Sequence, residues 1–407
     1  MKVEEKKERI DMEKVLEIFK KITKIPHCSG NTGKMKEFLI EWIKKCGYEY
    51  KTDRAGNVLA YKNTPVLCLQ SHYDMVCVGN APDIEIIEEN GWLKAKNSTL
   101  GADNGIGIAI MLYLMQEYDN LEFLFTNDEE IGLVGAFNLE LNIKSEYLLN
   151  LDSEDENIYI GCAGGADVKI KYPIEYETLR GFCADMKIEN LPGGHSGVDI
   201  DKNIPNAIVE LIHKIENICS LQGGERRNSI PANAYAKICF ESENAQEIEI
   251  ISKEYLEFLK KLPHGVLEYD FEFQVVSKSV NLAIVDNENI VLSLRANSNE
   301  KLEEVKEYIK QKCTGVEIEF EGEYPAWKPE ISSLAKILKE IMNTEYKVIH
   351  AGLECAVLKN KFPDVKMASI GPVIENPHSV NERVKIESVK KIYETVIKLV
   401  DLLQKVT

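Results

Sequence analysis

The sequence has no long apolar run and no pair of closely spaced cysteines. None of its apolar stretches approaches the roughly 20 residues that a helix needs to span a bilayer, and no apolar segment follows the charged opening MKVEEKKERIDMEK. Its 10 cysteines are scattered through apolar or helical contexts without a C-x-x-C pair. That distribution favours reduced, buried thiols over a disulfide framework or a cysteine zinc site. We therefore expect a cytoplasmic protein that does not bind a membrane.

Basic clusters are also missing. The formal net charge is −18, and no basic run is longer than a few residues, which argues against nucleic acid and anionic membranes as partners. The H-E-x-x-H pattern of single-zinc proteases is absent. An acidic balance is compatible with a carboxylate-rich metal site, although most of the 67 Asp and Glu residues must belong to the solvated surface.

The remaining pattern predicts an α/β fold. The apolar runs NVLAYK, PVLCLQ, LEFLFT and YLLNLD indicate short buried strands, and the helical stretch ADNGIGIAIMLYLMQEY lies between the second and third. Alternation of this kind predicts a catalytic domain with a central, mostly parallel sheet.

The length of 407 residues predicts more than one core. From about residue 182 the pattern starts again, with strands such as IVLSLRA and helices such as AQEIEIISKEYLEFLKKL. We interpret residues 182–322 as an inserted α+β domain, and residues 1–181 and 323–407 as one discontinuous domain.

Several metal-type side chains follow predicted strands, where loops of an open α/β sheet converge. His72 and Asp74 in SHYDMV follow PVLCLQ. Two residues apart on an extended backbone they share a face, so the carboxylate can orient the imidazole of a metal ligand. Asp103 in TLGADNGIG precedes a helix, and taken alone it is better explained as a helix cap.

Four further residues complete the set. Glu129 and Glu130 in TNDEEIG follow LEFLFT, Asp152 in LLNLDSED ends another strand, and His378 lies in the loop SIGPVIENPHSVNERV. On an extended segment Glu129 and Glu130 point to opposite sides. Each residue alone is more simply a solvated or satisfied polar side chain.

Together, two histidines and three carboxylates at strand ends of one core indicate a metal site. Such a set suits two divalent ions, with zinc as the first choice and cobalt or manganese as alternatives. A bridging carboxylate lets two ions lie roughly 3.5 to 4 Å apart. A water whose pKa falls to about 7 then needs a nearby carboxylate as a general base.

The motifs SHYDMV, STLGADNGIGIA, NDEEIGLVGAF, LLNLDSEDENIYIGCAGG, LPGGHSGVDI, YPAWKP, VIHAGLECAVL and SIGPVIENPHSVNERV resemble, in this order, those of aminoacyl-histidine dipeptidases within the M20 metallopeptidase family. The resemblance runs nearly end to end. It implies that Asp103 bridges two zinc ions, that Glu129 is the general base and that Asp74 orients His72. One ion would be held by His72, Asp103 and Asp152, and the other by Asp103, Glu130 and His378.

The resemblance also implies roles in the inserted domain, which would act as a lid. His195 in GGHSG would donate to the oxyanion of the tetrahedral intermediate, and Arg295 in IVLSLRA would bind the substrate's C-terminal carboxylate. A polar loop histidine and a solvated strand arginine are the simpler readings. Glu354 in HAGLECA would meet the free amine of a dipeptide.

The sequence therefore predicts a metal-dependent dipeptidase acting on unblocked dipeptides, with Xaa-His or β-alanyl-histidine as the narrower expectation. The chain is shorter than well-known enzymes of this type, which leaves substrate length and histidine preference open. The alternatives are a tripeptide aminopeptidase, an N-acyl amino acid deacylase, a binding protein without catalysis and a protein without metal. A homodimer, and action of His195 on its own or a partner's site, also stay open.

Overall fold

The computed structural model describes residues 2–286 and 289–406. Its helices are α1 Lys2–Ile22, α2 Gly33–Lys45, α3 Ala102–Glu117, α4 Val134–Phe137, α5 Ala207–Ile212, α6 Lys253–Lys261, α7 Asn299–Lys312, α8 Ser333–Met342, α9 Glu354–Lys361 and α10 Ile386–Val406. Its strands in the first part of the chain are β1 Glu49–Thr52, β2 Val58–Tyr61, β3 Leu67–His72, β4 Ile86–Glu89, β5 Trp92–Ala95, β6 Leu121–Thr126, β7 Tyr147–Asn150 and β8 Ile158–Cys162. The later strands are β9 Gly164–Lys171, β10 Tyr176–Ile188, β11 Gly194–His195, β12 Ile218–Gly223, β13 Ser229–Ile230, β14 Ala234–Glu241, β15 Glu247–Ile251, β16 Gly265–Asp270, β17 Val275–Val285, β18 Ile290–Ala296, β19 Glu317–Tyr324, β20 Tyr346–Ile349, β21 Lys366–Ser369, β22 Ile374–Glu375 and β23 Arg383–Lys385.

The chain divides into two compact units, and both are discontinuous. The first consists of residues 1–160, 330–347 and 357–407, and the second of residues 161–329 and 348–356. The predicted boundaries at 181/182 and 322/323 therefore differ from those of the compact units. The difference arises because β9 and β19 pair with each other and β9 also pairs with β18, so both strands belong to the sheet of the second unit.

The first unit is built on an eight-stranded sheet in the order β1-β2-β6-β3-β7-β21-β8-β20. Its four central strands β6, β3, β7 and β21 are parallel, whereas β1, β2 and β8 pair antiparallel with their neighbours. The expected parallel sheet is thus present in the centre, within a mixed sheet. The parallel strands bring their carboxyl ends to one edge.

The centre of this sheet is covered on both faces. Every residue of β3 and of β6 is buried, which is why both segments are continuous apolar runs and do not alternate. Helix α3 is buried over nearly its whole length, as expected for a helix that is apolar all round. Gly107 in α3 is closely surrounded by side chains of β3 and of α3 itself. A Cβ at this position would lie 2.4 Å from Ser71 Oγ and 2.2 Å from Asn104 Oδ1.

The second unit contains a nine-stranded sheet with β14-β10-β15-β12-β17-β18-β9-β19 in order and β16 beside β17. Its core lies between this sheet and helices α5, α6 and α7, and includes Ile208, Leu256, Leu292 and Val305. The predicted helix at residues 245–262 is wrong in its first part. There the alternating segment EIEII forms β15, and α6 begins only after Ser252.

The cysteines depart from the sequence-based prediction at one place. Cys28 and Cys77 form a disulfide across 49 positions of sequence, while the other eight cysteines are free. The prediction of reduced thiols throughout is therefore wrong for this pair. It failed because the two cysteines lie in loops that are distant in sequence and meet only on folding, where the backbone of Cys28 pairs with that of Met75 in an isolated β-bridge. No local spacing of cysteines could therefore predict the pair.

Among residues 2–286 and 289–406, none of the helices combines the length and apolar character that crossing a membrane requires.

Candidate metal centre

His72 ends β3 with both ring nitrogens engaged by carboxylates. Its side chain is 1% exposed. Nδ1 lies 3.3 Å from Asp74 Oδ1 and 3.0 Å from the Asp74 backbone oxygen. Nε2 lies 3.1 Å from Asp103 Oδ1 and 3.3 Å from Asp152 Oδ1. The expected pairing of His72 with Asp74 is therefore present, and it leaves Nε2 directed at two further carboxylates.

Asp103 joins two clusters of potential ligands. Its Oδ1 approaches His72, while its Oδ2 lies 3.1 Å from Nε2 of His378. The same His378 nitrogen lies 2.9 Å from Glu130 Oε1. One cluster therefore contains His72, Asp103 and Asp152 and the other contains Asp103, Glu130 and His378, with candidate ligand atoms within 4.8 Å of one another in each cluster.

A loop at the start of α3 holds Asp103 in place. The N-cap residue is Gly101, in the left-handed region with φ 69°, so capping by Asp103 is not what the structure shows. Instead the carboxylate of Glu382 accepts N–H bonds from Leu100, Gly101 and Ala102 at 2.7, 3.1 and 2.8 Å. Glu382 is buried at 2% exposure. This distant carboxylate thus anchors the loop and frees Asp103 to face the histidines.

Glu129 and Glu130 follow β6 in a turn, not on an extended strand. The backbone N–H groups of Gly132 and Leu133 donate to the carbonyl of Glu129. Both glutamate N–H groups are held by one acceptor, Asp74, at 2.9 Å from Oδ1 and 3.2 Å from Oδ2. Candidate ligand atoms of His72, Glu129 and Glu130 lie within 4.8 Å of one another. The prediction that the two side chains point to opposite sides is therefore wrong, because the turn directs both towards the same histidine.

The carboxylates are crowded enough to change one another's protonation. Burial raises the pKa of Asp152 to about 6; His72 opposes this rise, and Asp103 and Glu130 add to it. Hydrogen bonds to Asp103 and Glu130 raise the pKa of His378 to about 11. Burial acts to lower the pKa of His72, but the charge of Asp152 and its hydrogen bonds to carboxylates raise it well above the usual range. The carboxylates thus favour the positively charged form of both His72 and His378.

The second unit gathers another polar group. His195 in β11 accepts N–H bonds at Nδ1 from Gly197 and Val198, both at 3.1 Å, so its proton is carried on Nε2. Burial and the charge of Arg295 lower the pKa of His195 to about 4. Arg295, in β18, is 6% exposed and donates to the hydroxyl of Tyr324 at 2.6 Å. A Cβ on Gly197 would lie 3.0 Å from His195 and 3.1 Å from Arg295.

Two further buried residues belong to the second unit. Glu354 is the first residue of α9 and is fully buried, and its contact with the amine of a substrate stays a prediction. His350 is 3% exposed, and its Nε2 lies 2.7 Å from Ser279 Oγ. His350 lies in the motif VIHAGLECAVL, and the sequence did not predict a role for it.

Other participants in the first unit were missed. Glu382 anchors the α3 loop, the side-chain amide of Asn104 donates to Asp152, and Ser29 donates to Asp74 at 2.8 Å. Asn104 and Glu382 lie inside motifs already noted, ADNGIG and NERV, so adjacency to a ligand was the available signal. Ser29 carries no such signal, because it comes from a loop distant in sequence.

Two His/carboxylate clusters that share one aspartate lie at the carboxyl edge of the parallel strands, and a donor set of this kind suits two divalent ions. The profile of Peptidase family M20/M25/M40 matches residues 68–402, so the chain belongs to this peptidase family.

Individual relatives are similar over nearly the full length. The Escherichia coli (strain K12) cytosol non-specific dipeptidase is 30% identical, covering 92% of this chain and 94% of that protein. The crystal structure of aminoacylhistidine dipeptidase from Vibrio alginolyticus superposes with a TM-score of 0.84 at 28% identity, covering 95% and 96% of the two chains. A Staphylococcus aureus tripeptidase shares the fold with a TM-score of 0.62 at 17% identity, covering 97% and 99%.

Proposed function

We propose that this chain is a two-metal dipeptidase that hydrolyses unblocked dipeptides. The observation that carries the proposal is the position of Asp103, whose two carboxylate oxygens face two separate histidines at the same distance of 3.1 Å. A carboxylate that presents one oxygen to each of two ligand clusters has the arrangement needed to bridge two ions.

The donor set fits two borderline divalent ions, of which zinc is the natural choice. The side chains of His72, Asp103 and Asp152 would hold one ion, and those of Asp103, Glu130 and His378 the other. Hydrogen bonds to Asp103 and Glu130 raise the pKa of His378 to about 11, so the crowded carboxylates favour positive charge between them. When bound, the ions would polarise the scissile carbonyl and lower the pKa of the attacking water.

Glu129 would move the proton of that water. Its backbone is fixed by Asp74, and its carboxylate shares the neighbourhood of His72 and Glu130. Asp74 also holds Nδ1 of His72, so one buried carboxylate orients both a ligand and the base. A carboxylate in this position accepts the proton from water and later donates it to the leaving amine.

The second unit supplies two groups suited to a peptide. His195 is neutral and carries its proton on Nε2, so it can donate to a developing oxyanion. Arg295 is buried, and among the described residues its Nε has no hydrogen-bond partner, as expected of a guanidinium that awaits a carboxylate. These features support the roles of oxyanion donor and C-terminal carboxylate clamp.

The substrate class follows from the relatives. The names of both full-length relatives describe dipeptidases, one non-specific and one acting on aminoacylhistidine. We take unblocked dipeptides as the substrate, with Xaa-His or β-alanyl-histidine as the narrower expectation. The cytosolic relative supports a cytoplasmic location.

Glu129→Gln tests the mechanism, because glutamine keeps the shape of the side chain and cannot accept the proton. We expect the variant to retain both metal ions by elemental analysis and to lose at least about 100-fold in kcat. Glu130→Gln is the matched comparison and should lower the bound metal itself. Full turnover in the Glu129→Gln variant would refute the proposed base.

Substrate assignment needs a parallel assay of free dipeptides, tripeptides and N-acetylated amino acids. The dipeptidase proposal predicts the highest kcat/KM for free dipeptides. A preference for tripeptides would favour the tripeptide aminopeptidase that the fold relative from Staphylococcus aureus represents. A preference for N-acetylated amino acids would favour a deacylase.

A further inference from the structure

Three cysteines from three different strands converge in the second unit, far along the chain from the proposed ligands. Sγ of Cys219 lies 3.2 Å from Sγ of Cys183 and 2.8 Å from Sγ of Cys239. All three are free thiols. We refer to Cys183, Cys219 and Cys239 as the thiol cluster.

The strand register explains how the thiols meet. Cys183 in β10 lies directly opposite Cys239 in β14, so their side chains project from the same face of the sheet. Cys219 in β12 is the residue left unpaired where the register shifts between Ile218 and Ser220. A bulge of this kind re-aims a side chain, and here it directs Cys219 to the two paired cysteines.

A fourth strand contributes an oxygen atom. Sγ of Cys219 lies 3.1 Å from the carbonyl oxygen of Glu249 in β15. The four strands form a closed circuit of pairing, in which β10 pairs β14 and β15, and β12 pairs the same two strands. Three strands of the circuit therefore contribute one sulfur each, and the fourth places a carbonyl oxygen beside the sulfur of Cys219.

Core packing does not account for the cluster. Along β14, Ala234 and Ala236 belong to the hydrophobic core of the second unit, and Ile238 packs against it. Cys239 alternates with them, so it faces the other side of the sheet together with the exposed Lys237. It is nevertheless only 5% exposed. Cys313, by contrast, is an ordinary core cysteine inside the hydrophobic cluster.

We propose that the thiol cluster binds one thiophilic d10 cation, Zn²⁺ or Cu⁺, through three thiolates, with the Glu249 carbonyl or a water molecule as a further oxygen neighbour. Thiolate sulfur is the ligand type that these ions prefer. Each thiol transfers its proton to solvent as its sulfur–metal bond forms, so binding one ion releases three protons. No electron transfer takes place.

The spacing and accessibility suit an ion. With a zinc–sulfur distance of about 2.3 Å, tetrahedral geometry places sulfur atoms roughly 3.8 Å apart. The sulfur of Cys219 lies 3.2 Å from that of Cys183 and 2.8 Å from that of Cys239, so the sulfurs would separate by about 1 Å or less on binding an ion. Cys183 and Cys219 are partly exposed, which leaves a route for the ion. Burial raises the pKa of Cys219 and of Cys239, so these two thiols must lose their protons to bind an ion and affinity should rise with pH.

The test uses the full chain, already loaded with its divalent metal and kept reduced. Cd²⁺ is titrated in while ultraviolet thiolate-to-cadmium charge-transfer absorption is recorded, a signal that histidine and carboxylate ligands do not give. The wild type should develop this absorption with one equivalent, with loss of three alkylatable thiols. Competition with Zn²⁺ and with Cu⁺ then shows which ion displaces cadmium.

Cys219→Ser and Cys183→Ser should each lose the absorption and the protection from alkylation. Cys46→Ser is the matched control, because Cys46 is also a partly exposed free thiol but does not belong to the thiol cluster. This variant should behave as wild type. Three results would overturn the proposal. The first is a wild type without the absorption, and the second is a folded Cys219→Ser variant that keeps it. The third is a disulfide between Cys219 and another member of the cluster, found by mass spectrometry in the isolated protein in place of bound metal.

Discussion

At the scale of single residues, Asp74 has the widest influence in the first unit. Its carboxylate receives N–H bonds from both Glu129 and Glu130, a hydroxyl from Ser29 and the Nδ1 side of His72. One buried side chain therefore sets the orientation of a ligand, a second ligand and the proposed base. Losing it should affect metal binding and turnover together.

Asp74→Asn replaces one acceptor oxygen by an NH₂ group, which opposes the N–H groups it would face. We expect metal affinity to fall about 10- to 100-fold, as for other residues that orient metal ligands, measured by competition with a chelator. Asp83→Asn, on a loop of the same unit, provides a matched isosteric change away from the ligands. Unchanged metal affinity in Asp74→Asn would show that the ligands do not depend on this carboxylate for their position.

His350 gives the second unit an acid sensitivity of defined sign. Burial, followed by the charges of Arg295 and His195, lowers the pKa of His350 to about 3, whereas an unfolded histidine titrates near about 6.5. Between these values the unfolded chain binds more protons than the folded one, so stability falls as pH falls. From pH 7 to pH 5 the loss from this group is about 2 kcal/mol.

His350→Gln should remove that part of the pH dependence, because glutamine can still bond to Ser279 and does not titrate. The measurement is urea unfolding of metal-free protein at pH 7 and pH 5, for wild type and variant. If both proteins lose the same free energy of unfolding on acidification, His350 is not the source.

At the scale of elements, helix α3 packs closely against the candidate site because Gly107 has no side chain. A side chain at Gly107 would collide with Asn104, whose amide donates to Asp152, and with Ser71. Gly107→Ala should therefore cost about 1–3 kcal/mol of stability through overpacking, and should weaken metal binding as Asn104 moves. Thermal unfolding and a metal titration measure the two effects.

Gly33→Ala is the control for that change. Gly33 opens α2, and a Cβ there meets no atom within 4 Å. Its stability should be equal or slightly higher, since alanine is the better helix former. A Gly107→Ala protein as stable as Gly33→Ala would contradict the close packing around α3.

The disulfide between Cys28 and Cys77 should stabilise the fold around the loops that carry Ser29 and Asp74. It closes a loop across 49 positions, and the chain-entropy relation gives up to about 4 kcal/mol for a loop of this length. We expect the double variant with Cys28→Ser and Cys77→Ser to lose about 2–4 kcal/mol in urea unfolding. Reduced wild type should match the variant, and equal stability of oxidised and reduced protein would exclude a stabilising role.

The sequence predicted the elements with strong local patterns and missed those defined by pairing. The ranges of β6 and β18 agree with the predicted segments LEFLFT and IVLSLRA, because each is bounded by clear turn signals. Strands such as β12 and β15 were missed, since their short segments also fit a helical pattern. Only the pairing with neighbouring strands determines that these segments are extended. The candidate ligands followed strand ends, which a sequence can show. Glu382 and the disulfide depend on contacts between distant loops, which a sequence cannot show without the fold.

At the scale of the whole molecule, metal should stabilise the fold as well as enable turnover. The proposed ligands place three carboxylates together, and burial raises the pKa of Asp152 to about 6, so a bound cation would offset the cost of their charge. A ligand present at 100 times its Kd stabilises the native state by about 2.7 kcal/mol. Removing metal with a chelator should therefore lower the unfolding temperature, and adding zinc should restore it.

Asp103→Asn distinguishes this stabilisation from a general effect of zinc on the acidic surface. The variant loses the shared ligand, so its unfolding temperature should not respond to zinc or to chelator. An equal response in wild type and variant would place the stabilising ion elsewhere.

The interrupted path of the chain through its first unit has a consequence for synthesis. Four of the proposed ligand residues are made before residue 160, but His378 and the anchoring Glu382 emerge only after the whole second unit. His378 therefore cannot join the other proposed ligands until the ribosome has synthesised the whole second unit. Up to that point the nascent chain lacks one of its five proposed ligands, and the proposed hydrolytic activity has to await it.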